Sequence, residues 1–186
     1  SIKISYTKSI SFNNFNFVYA GKNKNSIENV SLTIKPGQII GVVGKIGCGK
    51  STLVNSLLRL YNVERGTLFI DDVDIMDLDI KCLRENIGYV PQDNFLFSDT
   101  ITKNIAFSKE IADEASVEDA AKYADVHENI IDFPSKYDTV LGERGVTLSG
   151  GQKQRISISR AVVKNPAILV LDDSVSAVDI KTEETI

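Results

Sequence analysis

The segment Gly44-Lys45-Ile46-Gly47-Cys48-Gly49-Lys50-Ser51-Thr52 constrains this chain more than any other stretch. It fits the pattern G-x-x-x-x-G-K-[ST] and stands between two periodic segments. Before it, Ile39-Ile40-Gly41-Val42-Val43 is a continuous apolar run, which predicts a strand buried on both faces. After it, Leu53, Leu57 and Leu60 fall at helical spacing and predict a helix over 50–60. Glycines in between let the backbone curl with its N–H groups pointing inward, and the helix brings the positive end of its dipole to the same place. A concavity for polyphosphate results. Lys50 is expected to bridge the two terminal phosphates, and Ser51 to give its hydroxyl oxygen to Mg2+.

The rest of the chain is compatible with one globular domain around that loop. Its 186 residues are 42% hydrophobic and 25% charged, which excludes disorder and collagen-like repeats. Lys plus Arg is 21 against 25 for Asp plus Glu, a net charge of -4, so the basic face of a nucleic-acid binder is not expected. Two cysteines, Cys48 and Cys82, and one histidine, His127, lack metal-ligand spacing; a disulfide scaffold and a His/Cys zinc site are excluded, and a reducing compartment is the default. No apolar run approaches the ~20 residues that span a bilayer, and no secretory pattern opens the chain, so a soluble polypeptide is expected.

The N-terminal part alternates apolar and polar residues over 10–19 and again over 30–34, predicting an antiparallel meander. Further short strands are expected at 66–70 and 87–90. Residues 100–132 follow helical spacing, and a helix over 150–164 with Ile156, Ile158 and Val162 inward is closed by Asn165-Pro166. A second fully buried strand is expected at 168–171. The order reads as α/β, with a mostly parallel core sheet, an antiparallel β start and a helical insertion.

Two more motifs carry chemistry. Ile168-Leu169-Val170-Leu171-Asp172-Asp173 delivers two carboxylates at the C-terminal end of a predicted core strand, the end at which open parallel sheets hold ligands. By itself this hexapeptide also reads as a polar turn ending a strand; beside a phosphate loop it reads as a metal site, with Asp172 holding Mg2+ and Asp173 near the γ-phosphate. Leu148-Ser149-Gly150-Gly151-Gln152 opens the 150–164 helix with Ser149 as N-cap, and its glycines predict an uncovered helix N-terminus, a second anion site. No [NT]-K-x-D element reads guanine, which disfavours a GTPase.

The full Leu-Ser-Gly-Gly-Gln string, together with the phosphate loop, resembles the ATP-binding-cassette (ABC) transporter family, and the resemblance covers essentially the whole chain. It implies a P-loop NTPase core with an antiparallel β subdomain and a helical subdomain at roughly 93–160, in one nucleotide-binding domain over 1–186. ATP and Mg2+ are the implied ligands. Residues 44–52 would hold the phosphates, Tyr19 would stack on adenine, and Gln92 in Tyr89-Val90-Pro91-Gln92 would touch Mg2+ and sense the bound nucleotide. Ser149, Gly150, Gly151 and Gln152 would complete the ATP site of a second nucleotide-binding domain in a head-to-tail dimer. Glu143-Arg144-Gly145 resembles the exporter X-loop that meets the transmembrane domain, and Ser176-Ala177-Val178-Asp179 the D-loop of the dimer interface. The implied place is the cytoplasmic face of the cell membrane.

Two departures from the family pattern matter. Asp173 stands where the family carries a catalytic glutamate, which suggests the degenerate site of a heterodimeric multidrug exporter. The chain ends at Ile186, ahead of the implied switch histidine, for which His127 cannot substitute; a C-terminally truncated domain, inactive or slow by itself, is the expectation. A module that dimerises on ATP with little hydrolysis of its own remains an alternative. A chromosome-associated ATPase is disfavoured because no heptad run interrupts the chain.

Overall fold

The computed structural model describes residues 5–109, 113–142 and 147–172. These fall into two compact units that divide after Arg84.

In the first unit, β1 (Ile10–Phe17) pairs antiparallel with β2 (Ile27–Ile34), in a sheet whose order is β2-β1-β3-β4 with β3 (Leu68–Ile70) and β4 (Val73–Asp74). Strict alternation would put Phe12 and Phe15 on opposite faces. Both are buried, with Phe17, because the register shifts between Phe12 and Phe15 and Asn14 takes a positive φ of 44°. Asparagine tolerates that conformation better than most residues, and the Ser31 hydroxyl fastens the bulge by accepting from the Asn14 N–H at 3.0 Å and donating to its Oδ1 at 3.1 Å. Each phenyl ring thus kept from water contributes ~1.5–3 kcal/mol.

The helix after the phosphate loop, α1 (Lys50–Leu57), is shorter than the spacing predicts. Thr52, Ser56 and Leu57 are its buried residues, whereas Leu60 is exposed, because the helix ends before Arg59 turns to a φ of 48°. The strand expected over 39–43 is not formed either. Among the described residues these five pair with no strand, and Ile39 and Val43 are each 94% exposed. A strand is buried on both faces only inside a sheet covered on each side by other elements, and among the described residues 39–43 join no sheet. A short helix, α2 (Ile80–Glu85), closes the unit.

The second unit holds a parallel pair, β5 (Ile87–Val90) and β6 (Ile168–Leu171), in register from Ile87–Ile168 to Val90–Leu171. The expectation of a fully buried final strand is corrected: all four β6 residues are half-buried, since β6 is paired only with β5 among the described residues. Four helices pack with this pair: α3 (Ile101–Ala106), α4 (Glu114–Tyr123), α5 (His127–Ile131) and α6 (Gly150–Val162). Ile101, Ile105, Val117, Ile130, Ile156 and Ile158 make their common core, with Val162 only partly buried at its margin. Thr100 and Asp113 cap α3 and α4 by accepting from the backbone N–H groups of Lys103 and Ser116.

One polar knot holds the loop after β5. Asn104 is 1% exposed, and its Oδ1 accepts from the Phe97 N–H at 2.8 Å and from Arg160 at 2.8 Å. Its Nδ2 donates to the carbonyls of Phe97, Asp99 and Thr100. Arg160 also donates to the carbonyls of Asn104 and Phe95, and its guanidinium lies over the rings of Phe97 and Phe107. Leaving such a buried amide unpaired would cost ~1–3 kcal/mol per group, so full satisfaction makes this a rigid joint.

Candidate functional site

The phosphate loop follows the backbone logic of its glycines. Gly47 and Gly49 have φ of 80° and 99°, values that side-chain-bearing residues rarely adopt. At Gly49 a second demand applies: a Cβ there would stand 2.5 Å from the Ser26 carbonyl oxygen and 3.2 Å from Ile27 Cγ1. The loop is therefore pressed against the start of β2, and α1 springs directly from it, with the Leu53 N–H donating to the Gly49 carbonyl at 2.9 Å. Lys50 folds back over the loop; its ammonium donates to the carbonyls of Gly44 at 2.8 Å and Lys45 at 3.3 Å. Lys45 and Ile46 are exposed along the loop, and so is Cys48, a free thiol.

Tyr19, Ser26, Gly47, Gly49, Lys50, Ser51 and Thr52 line one cavity of about 220 Å3. A second, of about 590 Å3, shares Tyr19, Ser26 and Gly47 and adds Lys22 and Lys24. Tyr19 thus stands at the phosphate loop, with its hydroxyl 2.8 Å from Thr52 Oγ1. Its ring lies 5.0 Å from Phe17 and 5.2 Å from Tyr61, nearly perpendicular to both. No sequence spacing announces Tyr61, which arrives from beyond α1.

The other candidates belong to the second unit. Gln92 is exposed two residues beyond β5, and Asp172 follows β6 directly, so the parallel register delivers both from the same end of the pair. The Asp172 N–H donates to the Val90 carbonyl at 2.9 Å. The Tyr89 hydroxyl lies 3.4 Å from the Asp172 carboxylate; burial first, and that negative charge second, raise the Tyr89 pKa, so it stays protonated as a donor.

Ser149 is the N-cap of α6, as its sequence suggests, but the helix end is not bare. The Ser149 hydroxyl accepts from the Gln152 N–H at 3.2 Å, and Gln152 Oε1 accepts from the Ser149 N–H at 3.0 Å. This capping box was legible as S-x-x-Q and corrects the expectation of an uncovered terminus. Gly150 and Gly151 form the first turn. Asp173, Glu143-Arg144-Gly145 and Ser176-Ala177-Val178-Asp179 lie outside the described residues.

Comparison with known proteins decides the family. The ABC transporter profile matches residues 27–176, most of the chain and all three motifs. The chain belongs to the ABC transporter family. It is similar to nucleotide-binding domains of that family's exporters. The uncharacterized ABC transporter ATP-binding protein YfiB of Bacillus subtilis (strain 168) is 50% identical over 94% of the chain and 30% of its own length. The putative multidrug export ATP-binding/permease protein YgaD of the same organism is 48% identical over 95% of the chain and 30% of its own length. A bacterial Atm1-family ABC exporter, solved with ATP bound, superposes with a TM-score of 0.90 at 40% identity, over 98% of this chain and 32% of that one. The chain thus spans about a third of the length of these relatives. The fold is that of an exporter nucleotide-binding domain: α/β, with an antiparallel β subdomain, a parallel sheet and a helical part. Among the described residues no helix is long and apolar enough to cross a membrane.

Proposed function

We propose that this chain is an ATP-binding and ATP-hydrolysing domain that powers export by an ABC transporter, working head to tail with a second nucleotide-binding domain at the cytoplasmic face of a membrane. The observation that carries the reading is the cavity shared by Tyr19, Gly47, Gly49, Lys50, Ser51 and Thr52, which combines an aromatic ring, a cationic side chain and a helix start. Those are the three chemistries a nucleoside polyphosphate asks for: stacking for the base, positive charge and N–H groups for the phosphates.

Mg2+ fits the donor types available. The Ser51 hydroxyl, the Gln92 amide oxygen and the Asp172 carboxylate are all hard oxygen ligands, the set this ion prefers. When bound, it would neutralise charge on the β- and γ-phosphates. The protein's own share is positioning: Lys50 and the loop amides orient the phosphates, and Asp173 stands at the sequence position where the family's glutamate holds the attacking water. Isothermal calorimetry of the intact protein with Mg-ATP is expected to show saturable binding; its absence would overturn the reading.

In finer detail, the chain is read as one nucleotide-binding domain over 1–186, with its helical subdomain at roughly 93–160, and as the half of a heterodimer that carries the slow site. Aspartate is one methylene shorter than the glutamate the family carries at position 173, and a misplacement of ~1 Å costs ~10²-fold in rate. With the partner domain's catalytic glutamate changed to glutamine, Asp173→Glu is expected to raise single-turnover hydrolysis, by up to roughly 100-fold. No rise would remove Asp173 as the limiting defect. No hydrolysis before or after the change would favour the second reading, a module that dimerises on ATP without turning it over.

A further inference from the structure

The hydroxyls of Tyr19 and Thr52 are 2.8 Å apart, and both side chains line the cavity that also holds Lys50 and Ser51. Thr52 is 7% exposed and borders the cavity, so its hydroxyl proton goes to a protein group or to whatever fills the cavity. A hydroxyl has one proton and two lone pairs. Were Thr52 to donate to Tyr19, the threonine would turn only lone pairs toward an incoming anion, and the phenol would keep the free proton. Either hydroxyl could donate across this distance, and the greater acidity of the phenol favours the arrangement in which Tyr19 donates and Thr52 accepts, leaving the threonine proton for the cavity.

The phenol is held in place to do this. Phe17 ends β1 and is buried, and its ring lies 5.0 Å from that of Tyr19 and 5.6 Å from that of Tyr61. Tyr61 meets Tyr19 at 90° and 5.2 Å. Edge-to-face aromatic packing of this kind adds specificity of placement beyond the area it buries. The aim of the Tyr19 hydroxyl is thus set by two neighbouring rings, independently of any base stacked on it.

From this arrangement we infer that Tyr19 is a positioning residue for phosphate: its hydroxyl turns the Thr52 proton toward the cavity, where it donates to a polyphosphate oxygen whatever base the nucleotide carries. This rests on, and deepens, the reading that loop 44–52 binds polyphosphate. It separates two parts of one side chain, a ring that serves the base and a hydroxyl that serves the phosphates.

Inorganic tripolyphosphate tests it, because that probe has no base to stack. Calorimetry on the intact protein compares wild type, Tyr19→Phe, Thr52→Val, Thr52→Ser and the Tyr19→Phe/Thr52→Val pair. Loss of one hydrogen bond corresponds to roughly three- to tenfold in affinity. Tyr19→Phe is expected to weaken tripolyphosphate and ATP by the same factor in that range, although its ring is intact. Thr52→Val is expected to lose at least as much, Thr52→Ser to retain binding, and Tyr19→Phe to have no further effect once Thr52 is valine. A Tyr19→Phe protein that binds tripolyphosphate as wild type does, or loses equally in the valine background, overturns the inference while leaving the phosphate loop standing. A wild type that fails to bind tripolyphosphate overturns the loop reading and the inference with it.

Discussion

Gly49→Ala is expected to lower stability by about 2–5 kcal/mol, more than its neighbour Gly47→Ala. Two terms combine at Gly49. Its φ of 99° is left-handed, which costs an L-residue ~1–2 kcal/mol. Its added Cβ would also stand 2.5 Å from the Ser26 carbonyl oxygen, a backbone atom that cannot rotate away, and overpacking of that sort costs ~1–3 kcal/mol. Gly47 shares the first term, at φ 80°, but a Cβ there meets nothing within 4 Å. Thermal unfolding of the two variants measures the difference: with ~2–4 °C per kcal/mol for a chain of this size, Gly49→Ala is expected to fall by roughly 4–20 °C and Gly47→Ala by roughly 2–8 °C. Equal shifts would show that the press of the loop against β2 carries no energy.

Lys50→Ala is expected to weaken ATP binding by roughly ten- to a hundredfold. A hydrogen bond to a charged group contributes ~1.5–3 kcal/mol, and ~1.4 kcal/mol is a factor of ten. In this structure the ammonium already spans the loop, donating to the carbonyls of Gly44 and Lys45. Alanine therefore removes the proposed phosphate contact and also a tie between the ammonium and the loop carbonyls. Calorimetric titration of both proteins with Mg-ATP checks the prediction, and identical affinities would sink it.

Much of the fold was legible because its signals are local. The alternation of apolar and polar residues over 10–19 announced β1, and Ser149 announced the start of α6. What failed depended on neighbours that no local pattern encodes. The apolar run 39–43 has the composition of a buried strand, yet burial is conferred by membership of a sheet covered on both faces and not by the run. The half-burial of Ile168–Leu171 has the same cause. At the site, the glycines and Lys50 were legible because the backbone geometry of the loop demands those residue types in that order. Tyr61 was not, since a ring that supports another ring from beyond the next helix obeys no spacing rule. Thr52 was foreseen only as part of the loop 44–52 that would hold the phosphates, and the bond of its hydroxyl to Tyr19 requires knowing that β1 ends beside α1.

The pairing of β5 with β6 also has a mechanical meaning. Four residues on each strand are laced in register, and the Asp172 N–H is tied to the carbonyl of Val90, two positions before Gln92. Downstream of Val90, the chain is anchored from Phe95 onward by the Asn104–Arg160 knot, so residues 91–94 form a short span between two supports. That span therefore runs from the Asn104–Arg160 knot into the strand that is laced, residue by residue, to the one leading directly to the carboxylate of Asp172.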